Sequence, residues 1–144
     1  MRRVVITGMG VVAPNAIGLD AFHEAQKNGI SGIKHIPKFE ELGFSCQVGG
    51  IPDISEIIDQ YMNALEQRMI GSSGIRYGVI AGLQAWKDAG LEVDENDNNY
   101  ENGIIFGAGI SGVDKFREAI YKVDEGKVRR LGSTVVINTM TSGV

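Results

Sequence analysis

The sequence is poor in cysteine and proline and has no long apolar run. It contains one Cys and three Pro among 144 residues, which excludes a disulfide framework. No apolar stretch approaches the roughly 20 residues that cross a bilayer. The start and the end of the sequence show no signal peptide. These absences predict a cytoplasmic protein without a membrane span.

The chain also lacks a strong excess of charge of either sign. Its formal net charge is −4, and the one basic run, Lys127, Arg129 and Arg130, directly follows Asp124 and Glu125. Nucleic-acid binding requires a larger basic face without nearby acidic residues. The charge pattern therefore argues against a nucleic-acid partner.

Glycine is the abundant residue, with 20 copies. Hydrophobic residues make up 43% of the chain and charged residues 22%, which is ordinary globular usage, and the length fits one domain. Frequent glycine without a repeat is typical of tight turns between closely packed elements. The composition favours a folded α/β protein.

Apolar patterns predict an alternation of strands and helices. Two β-branched or apolar runs next to glycines, Val4–Ile6 and Gly103–Gly107, are typical of buried strands. Helical periodicity covers Leu19–Lys27, Ala64–Ala89 and Val113–Val123. This order predicts a mainly parallel sheet with helices on both faces.

Shorter features complete the prediction. A short strand is expected near Ser45–Val48, and Asp53 or Ser55 is a candidate cap for a short helix. Gly71 and Gly74 weaken the middle of the long helical stretch, by roughly 1 kcal/mol each relative to Ala.

The motif Gly8-x-Gly10-x-x-Ala13 after the first strand imitates a dinucleotide-binding fingerprint. That function requires a helix that begins within the glycine turn. Pro14 and Asn15 interrupt the place where this helix should run. A tight turn that serves packing is therefore the favoured interpretation, and nucleotide binding remains the minor alternative.

No complete active site is visible. Cys46 lies in a strand-like segment, and His23 and His35 are distant in sequence, so a buried and inert thiol is favoured over a nucleophile. The string around Ser111 lacks the spacing of a hydrolase elbow. The acidic residues form no convincing metal or acid/base set.

Five stretches, in this order, resemble the β-ketoacyl-[acyl carrier protein] synthase family of the thiolase-like fold. They are Val4–Pro14, Gly29–Ile33, Tyr77–Leu91, Gly103–Gly112 and Met140–Val144. The third includes Ala81, Ala85 and Ala89, small residues that suit a helix contacted on several sides, although they are also good helix formers. The resemblance implies the amino-terminal half of this layered fold, with residues 1–144 incomplete at the carboxyl end.

The resemblance further implies decarboxylative condensation of an acyl thioester with malonyl-acyl carrier protein, without a cofactor or metal. The nucleophilic Cys and two basic residues of the family follow Val144, so the chain contains no catalytic residue and Cys46 does not match the nucleophile. Acyl carrier protein, an acyl thioester and a second copy of the chain are the implied partners.

Three residues match family positions. Ile110 corresponds to a residue that lines the acyl pocket, and Ser111 stands where the family often has Gly. Arg68 lies near a basic position that contacts acyl carrier protein, although one extra residue shifts the alignment. A turn Ile and a solvated surface Arg are the plain alternatives.

The parent protein has two candidate functions, an active condensing enzyme and a non-catalytic chain-length factor of the same fold. The segment Ser133–Val144, rich in Val, Thr and Met, has no stop signal. It predicts an incomplete domain whose exposed apolar surface and strand edges favour self-association.

Overall fold

The computed structural model describes residues 3–92, 102–110 and 112–140. The chain forms two compact units. The first comprises Met1–Ile58 with Ala81–Leu91, and the second comprises Asp59–Ile80 with Glu92–Val144.

The first unit begins with a small hairpin and a helix. Strands β1 (Val12–Ala13) and β2 (Ala16–Ile17) pair antiparallel, and α1 covers Leu19–Lys27. The helix ends at Lys27 and is followed by Gly29, whose φ of 64° lets the amides of Gly29 and Ile30 bond back to Gln26 and Ala25. This confirms the predicted helix and its glycine stop.

A short excursion follows α1. Strands β3 (Lys34–His35) and β4 (Val48–Gly49) pair antiparallel around α2 (Pro37–Glu41). The rings of Phe39 and Phe44 pack with centroids 5.3 Å apart. The strand predicted near Ser45–Val48 is therefore present but begins at Val48.

The same unit contains the carboxyl-terminal part of α5 (Ser73–Asp88), and the glycine segment lies against it. A Cβ built on Gly8 would overlap the carbonyl oxygen of Ala85 and lie 2.5 Å from the amide of Ala89. A Cβ on Gly10 would overlap the carbonyl oxygen of Ala81 and lie 2.8 Å from the amide of Ala85. These contacts support the interpretation of the glycines as a packing device.

The second unit is helical in its described part. It contains most of α3 (Ile58–Tyr61), then α4 (Ala64–Met69), the start of α5, α6 (Val113–Asp124), a 3-10 helix (Val128–Arg130) and α7 (Thr134–Thr139). Ile75, Ile80 and Ser72 are fully buried side chains of its described part. The helix predicted over Val113–Val123 is confirmed and extends one residue further.

The helix predicted over Ala64–Ala89 is wrong as a single element, because α4 ends at Met69 and α5 begins at Ser73. The break includes Gly71, which the sequence marks as a weak point. Backbone groups at the break bond to the side chains of Arg76 and Asn138, so they do not need helical partners.

The two predicted buried strands are also wrong for the described chain. The side chains of Val4, Val5 and Ile6 are 73 to 96% exposed, those of Ile104, Ile105 and Phe106 are 47 to 103% exposed, and none of the six residues lies in a strand. The strand pairs that the structure describes are all antiparallel. A buried strand needs neighbours on both edges and cover on both faces, and the described residues supply neither to these segments.

No helix within the described residues is both long enough and apolar enough to cross a membrane.

Candidate functional site

The candidate carrier-binding residue, Arg68, lies in the last turn of the six-residue helix α4 and is exposed. Asn63 caps this helix: its side-chain oxygen accepts from the amides of Leu65 and Glu66, each at 3.0 Å. The carboxylate of Glu66 accepts in turn from the Asn63 amide at 2.8 Å, which completes a capping box. So short a helix is marginal by itself, and these bonds fix its start.

The other end of α4 is fixed by Arg76 of α5. The Arg76 guanidinium donates to the carbonyl oxygen of Ile70 at 2.7 Å and to that of Gln67 at 2.6 Å. Carbonyls at a helix end have no partner within the helix, and a cation is the favourable donor there. Arg68 therefore lies beside a carbonyl that a neighbouring helix holds in place.

The buried side chain of Asn138 joins the break between α4 and α5 to α7. Its oxygen accepts from the amide of Gly71 at 2.6 Å and from that of Ser72 at 2.9 Å. Its nitrogen donates to the carbonyl of Met69 at 2.7 Å and to that of Thr134 at 2.8 Å. We call residues 69–72, together with Asn138, the α4–α5 junction.

Exposed side chains on α4 form a small mixed surface. Leu65, Arg68 and Met69 are spaced three and four residues apart, so they share one face of the helix. The two apolar side chains are each about half exposed. This surface offers one positive charge between two apolar contacts, a composition suited to an acidic partner with an apolar face.

The candidate pocket residues precede α6. Ile110 is 82% exposed, while Ser111 lies outside the residues that the structure describes. Gly112 caps α6 in the left-handed conformation, with φ 70° and ψ 18°. A Cβ on Gly112 would overlap the carbonyl oxygen of Asn138 and lie 2.8 Å from the Cα of Thr139. The start of α6, two residues after Ile110 in the sequence, thus packs against α7 at Asn138, which belongs to the α4–α5 junction.

The structure does not have the geometry that a dinucleotide site would need at Gly8 and Gly10. The chain after Gly10 enters the hairpin β1–β2, and the next helix begins only at Leu19. The amides of Met9 and Val11 donate to Asp88 and Gln84 of α5, each at 2.9 Å. These amides face α5, and no helix amino terminus lies at the glycine turn to meet a pyrophosphate.

The prediction of a buried Cys46 is wrong. The thiol is free and exposed, because Cys46 lies in the segment before β4 and not within a strand. Its sulfur donates to the carbonyl of Val48 at 3.7 Å. His35 is engaged elsewhere, with its Nε2 3.4 Å from Glu40.

Asp53 caps a turn and not the predicted helix. Its carboxylate accepts from the Ser55 hydroxyl at 2.7 Å and from the Ser55 amide at 3.0 Å, and α3 begins only at Ile58. The hydroxyl bond, followed by the amide bond, holds the pKa of Asp53 below its ordinary value. Nowhere in residues 3–92, 102–110 and 112–140 do three His, Cys, Asp or Glu side chains meet as metal ligands would.

Sequence reasoning missed Asn138 and Arg76, although both organise the site. A lone amide in the apolar string Val135-Val136-Ile137-Asn138 was the available signal, since a polar residue within an apolar helix is often buried and bonded. Arg76 carries no comparable signal, because its partners are carbonyls of the preceding helix.

Comparisons with known proteins cover the whole chain. The model of the β-ketoacyl synthase amino-terminal domain family matches residues 1–144. The 3-oxoacyl-[acyl-carrier-protein] synthase 2 of Vibrio cholerae is 33% identical over 141 residues, which are 98% of this chain and 33% of that protein. The tetracenomycin polyketide synthase ketoacyl synthase beta subunit of Streptomyces glaucescens is 34% identical over 112 residues, 76% of this chain and 26% of that protein.

A comparison with a solved structure also identifies the fold. The crystal structure of a β-ketoacyl synthase from Burkholderia phymatum superposes with a TM-score of 0.77 at 24% identity, covering 99% of this chain and 35% of that one. The chain thus has the fold of the corresponding part of that protein. It spans about one third of the length of curated relatives that it matches, and not the half that the resemblance implies.

Proposed function

The chain belongs to the β-ketoacyl synthase family, and we propose that it forms the amino-terminal third of an active β-ketoacyl-[acyl carrier protein] synthase. The observation that carries this proposal is the family match over all 144 residues. The named relatives are synthases of fatty-acid type and a polyketide synthase subunit. Like them, the whole protein would act on substrates attached to acyl carrier protein, and we place it in the cytoplasm.

The reaction joins two thioesters with loss of carbon dioxide. A Cys thiolate, located after Val144, displaces the carrier thiol and takes the acyl group as an enzyme thioester. Decarboxylation of malonyl-carrier protein leaves a carbanion, which attacks the acyl carbonyl and expels the Cys thiolate. The product is a carrier-bound β-ketoacyl chain two carbons longer. The present residues contribute binding and positioning, and none of them exchanges a proton or an acyl group.

We assign carrier-protein binding to the exposed face of α4. Arg68 supplies a positive charge that attracts an acidic partner, and Leu65 and Met69 supply apolar area beside it. An exposed charge contributes mainly to the rate and orientation of association. The capping box and the contacts of Arg76 favour this role, because they hold the short helix in one conformation before the partner arrives.

We assign the acyl pocket to Ile110, in the turn at residues 109–110, and to Ser111. The exposure of Ile110 supports this assignment, because a large apolar side chain next to a glycine is available to contact an alkyl chain. Among the atoms that the structure describes, none lies within 4 Å of a Cβ added at Gly107 or Gly109, which leaves open space beside the turn.

The exposed apolar segments support a larger assembly. We propose that the segments at residues 4–6 and 104–106 become strands of a mainly parallel sheet, with helices on both faces, once the rest of the protein covers them. Helix α6 carries a second exposed apolar surface, formed by Val113, Phe116, Ile120 and Val123. Its three- and four-residue spacing suits pairing with another helix, and we assign it to a homodimer contact.

A non-catalytic chain-length factor is the second candidate. The 34% identity to a polyketide synthase beta subunit favours it. The two candidates differ in the segment after Val144: a Cys at the nucleophile position supports the enzyme, and Gln or another residue there supports the partner subunit.

The experiment is a condensation assay on the full-length protein that carries this chain, with acyl- and malonyl-carrier protein as substrates. We expect a β-ketoacyl product and, for Arg68→Glu, a KM for carrier protein raised by about three- to tenfold with little change in kcat. Arg129→Glu, an exposed residue of the same unit, is the matched control and should leave KM unchanged. A full-length protein that has the Cys but forms no product would contradict the enzyme assignment.

A further inference from the structure

Every donor and acceptor of the Asn138 side chain is used in hydrogen bonds to backbone groups. Its side chain is 5% exposed, its oxygen accepts two bonds and its nitrogen donates two. A primary amide has two donor hydrogens and one carbonyl oxygen with two lone pairs, so no group of Asn138 remains unpaired. No other natural side chain of this size supplies both sets, since Asp lacks the donors and Leu lacks both.

Three of the four hydrogen-bond partners of the Asn138 side chain belong to α4 and the segment after it, and the fourth is Thr134 of α7. Met69, whose carbonyl accepts from Asn138, is the residue after Arg68 and ends α4. Gly71 and Ser72, whose amides donate to Asn138, lead into α5. The amide side chain thus satisfies both a carboxyl-terminal carbonyl of one helix and the amides that precede the next.

The backbone of Asn138 contacts the other candidate element. Gly112 lies so close to it that a Cβ would overlap the Asn138 carbonyl oxygen. Gly112 caps α6 and lies two residues after Ile110 in the sequence. A shift of α7 at Asn138 therefore has to move the start of α6, because packed backbones at this separation cannot slide independently.

We propose that Asn138 is a positioning residue of the synthase that couples the carrier-protein surface on α4 to the acyl-pocket turn before α6. The inference rests on the proposed function, since it assigns the coupling to surfaces that only a condensing enzyme would use. Asn138 itself touches no substrate. Its side chain holds the main chain on either side of the break after α4, and its own main chain packs against Gly112 at the start of α6.

Two nearly isosteric variants test the proposal in the full-length protein. Asn138→Asp keeps the acceptor for Gly71 and Ser72 but loses both donors and places a carboxylate against the carbonyls of Met69 and Thr134. Asn138→Leu loses every bond at similar volume. Asn28→Asp is the matched control, because it removes a single amide donor bond, to the carbonyl of Glu24 at 2.8 Å, in the other unit.

The expected result is a split between kinetic constants. For Asn138→Asp we expect the KM for acyl-carrier protein to rise about tenfold. This is the effect of losing roughly one buried hydrogen bond that holds α4 in the conformation that binds the carrier protein. We also expect the preference among acyl chain lengths to change, because the pocket turn moves with α7. Lowering the pH should partly restore KM, since a protonated carboxyl regains one donor. Asn28→Asp should resemble the unsubstituted protein in all three readouts.

A purely structural role gives a different result. If both variants lower kcat in proportion to the folded fraction, with KM, chain-length preference and the pH profile unchanged, the proposal is overturned. An unsubstituted protein without condensation activity overturns the proposed function instead, before any variant is measured.

Hydrogen exchange keeps the test decisive if the variants fail to fold. In the unsubstituted full-length protein, the amides of Gly71 and Ser72 should exchange at least tenfold more slowly than that of the exposed residue Ser73, whose amide makes only a long bond of 3.4 Å to Asp114. Addition of acyl-carrier protein should slow them further, together with the amide of Gly112. Unprotected amides at Gly71 and Ser72, or protection that carrier protein leaves unchanged at all three positions, would overturn the coupling.

Discussion

Gly10 lies directly against the backbone of Ala81, one turn of α5 before Ala85. Gly8 makes the same kind of contact one turn further along the helix, at Ala85 and Ala89. Two residues of extended chain advance about 6.7 Å, and four residues of α-helix advance about 6 Å. The spacing from Gly8 to Gly10 therefore matches the spacing from Ala85 to Ala81 along α5. The amides of Met9 and Val11 bond to Asp88 and Gln84 at the same spacing.

Adding a methyl group at Gly10 should therefore be costly. In Gly10→Ala the new Cβ meets backbone atoms that cannot move away, and we expect the free energy of unfolding to fall by about 2 kcal/mol or more. Urea unfolding of the protein, followed by circular dichroism, measures the change.

Gly82→Ala is the matched control for this substitution. Gly82 lies within α5, and nothing lies within 4 Å of an added Cβ. Ala is the better helix former, so this variant should gain about 0.5–1 kcal/mol. Equal effects of the two substitutions would contradict the close contact at Gly10.

Elements fixed by local signals could be predicted from the sequence. Helix α1 is an example, because its apolar spacing and Gly29 are both local and both appear where expected. Helix α6 is another, since its periodicity specifies it to within one residue. The packing role of Gly8 and Gly10 was also readable, because Pro14 and Asn15 oppose the helix that nucleotide binding would require.

Features that depend on distant residues could not be predicted. The break between α4 and α5 bonds to Asn138, 67 residues from Gly71 along the chain. Apolar runs such as Val4–Ile6 reveal a preference for burial but not whether a partner strand is present, and here they are exposed. The exposure of Cys46 likewise depends on where β4 begins. For the candidate site, Arg68 and Ile110 came from family resemblance, and their functional roles remain predictions.

A second prediction concerns Ser72, next to the Asn138 bonds. Its hydroxyl is fully buried and has no hydrogen-bond partner within the described part of the chain. Burying an unpaired hydroxyl costs roughly 1–3 kcal/mol, and Ser72→Ala removes that cost together with a small contact area. We expect this variant to unfold at the same urea concentration as the unsubstituted protein, or at a higher one, with a gain of up to about 1 kcal/mol.

Thr139→Ala provides the contrast for Ser72→Ala. The Thr139 hydroxyl donates to the carbonyl of Val135 at 2.9 Å, so its removal should cost about 1 kcal/mol. A comparable loss in Ser72→Ala would show that the Ser72 hydroxyl has a partner, such as a buried water.

The third prediction uses the turn at Asp53. Hydrogen bonds from the Ser55 hydroxyl and amide hold the pKa of Asp53 below the ordinary value of 3.8. A lowered pKa in the folded protein means that the charged form is favoured by folding. Its stabilising contribution is thus fully present above the unfolded-state pKa and is lost as the pH falls through the folded-state value. Ser55→Ala removes the larger cause, so the pKa of Asp53 should rise toward 3.8 while staying below it.

Carboxyl-carbon NMR titration of Asp53 measures this change directly. Ser55→Thr retains the hydroxyl and the amide, so its titration should match that of the unsubstituted protein. Because Asp53 is fully exposed, the change in overall stability should be small, and the pKa is the sensitive readout. An Asp53 titration that is identical in Ser55→Ala and Ser55→Thr would mean that the hydroxyl bond at 2.7 Å does not persist in solution.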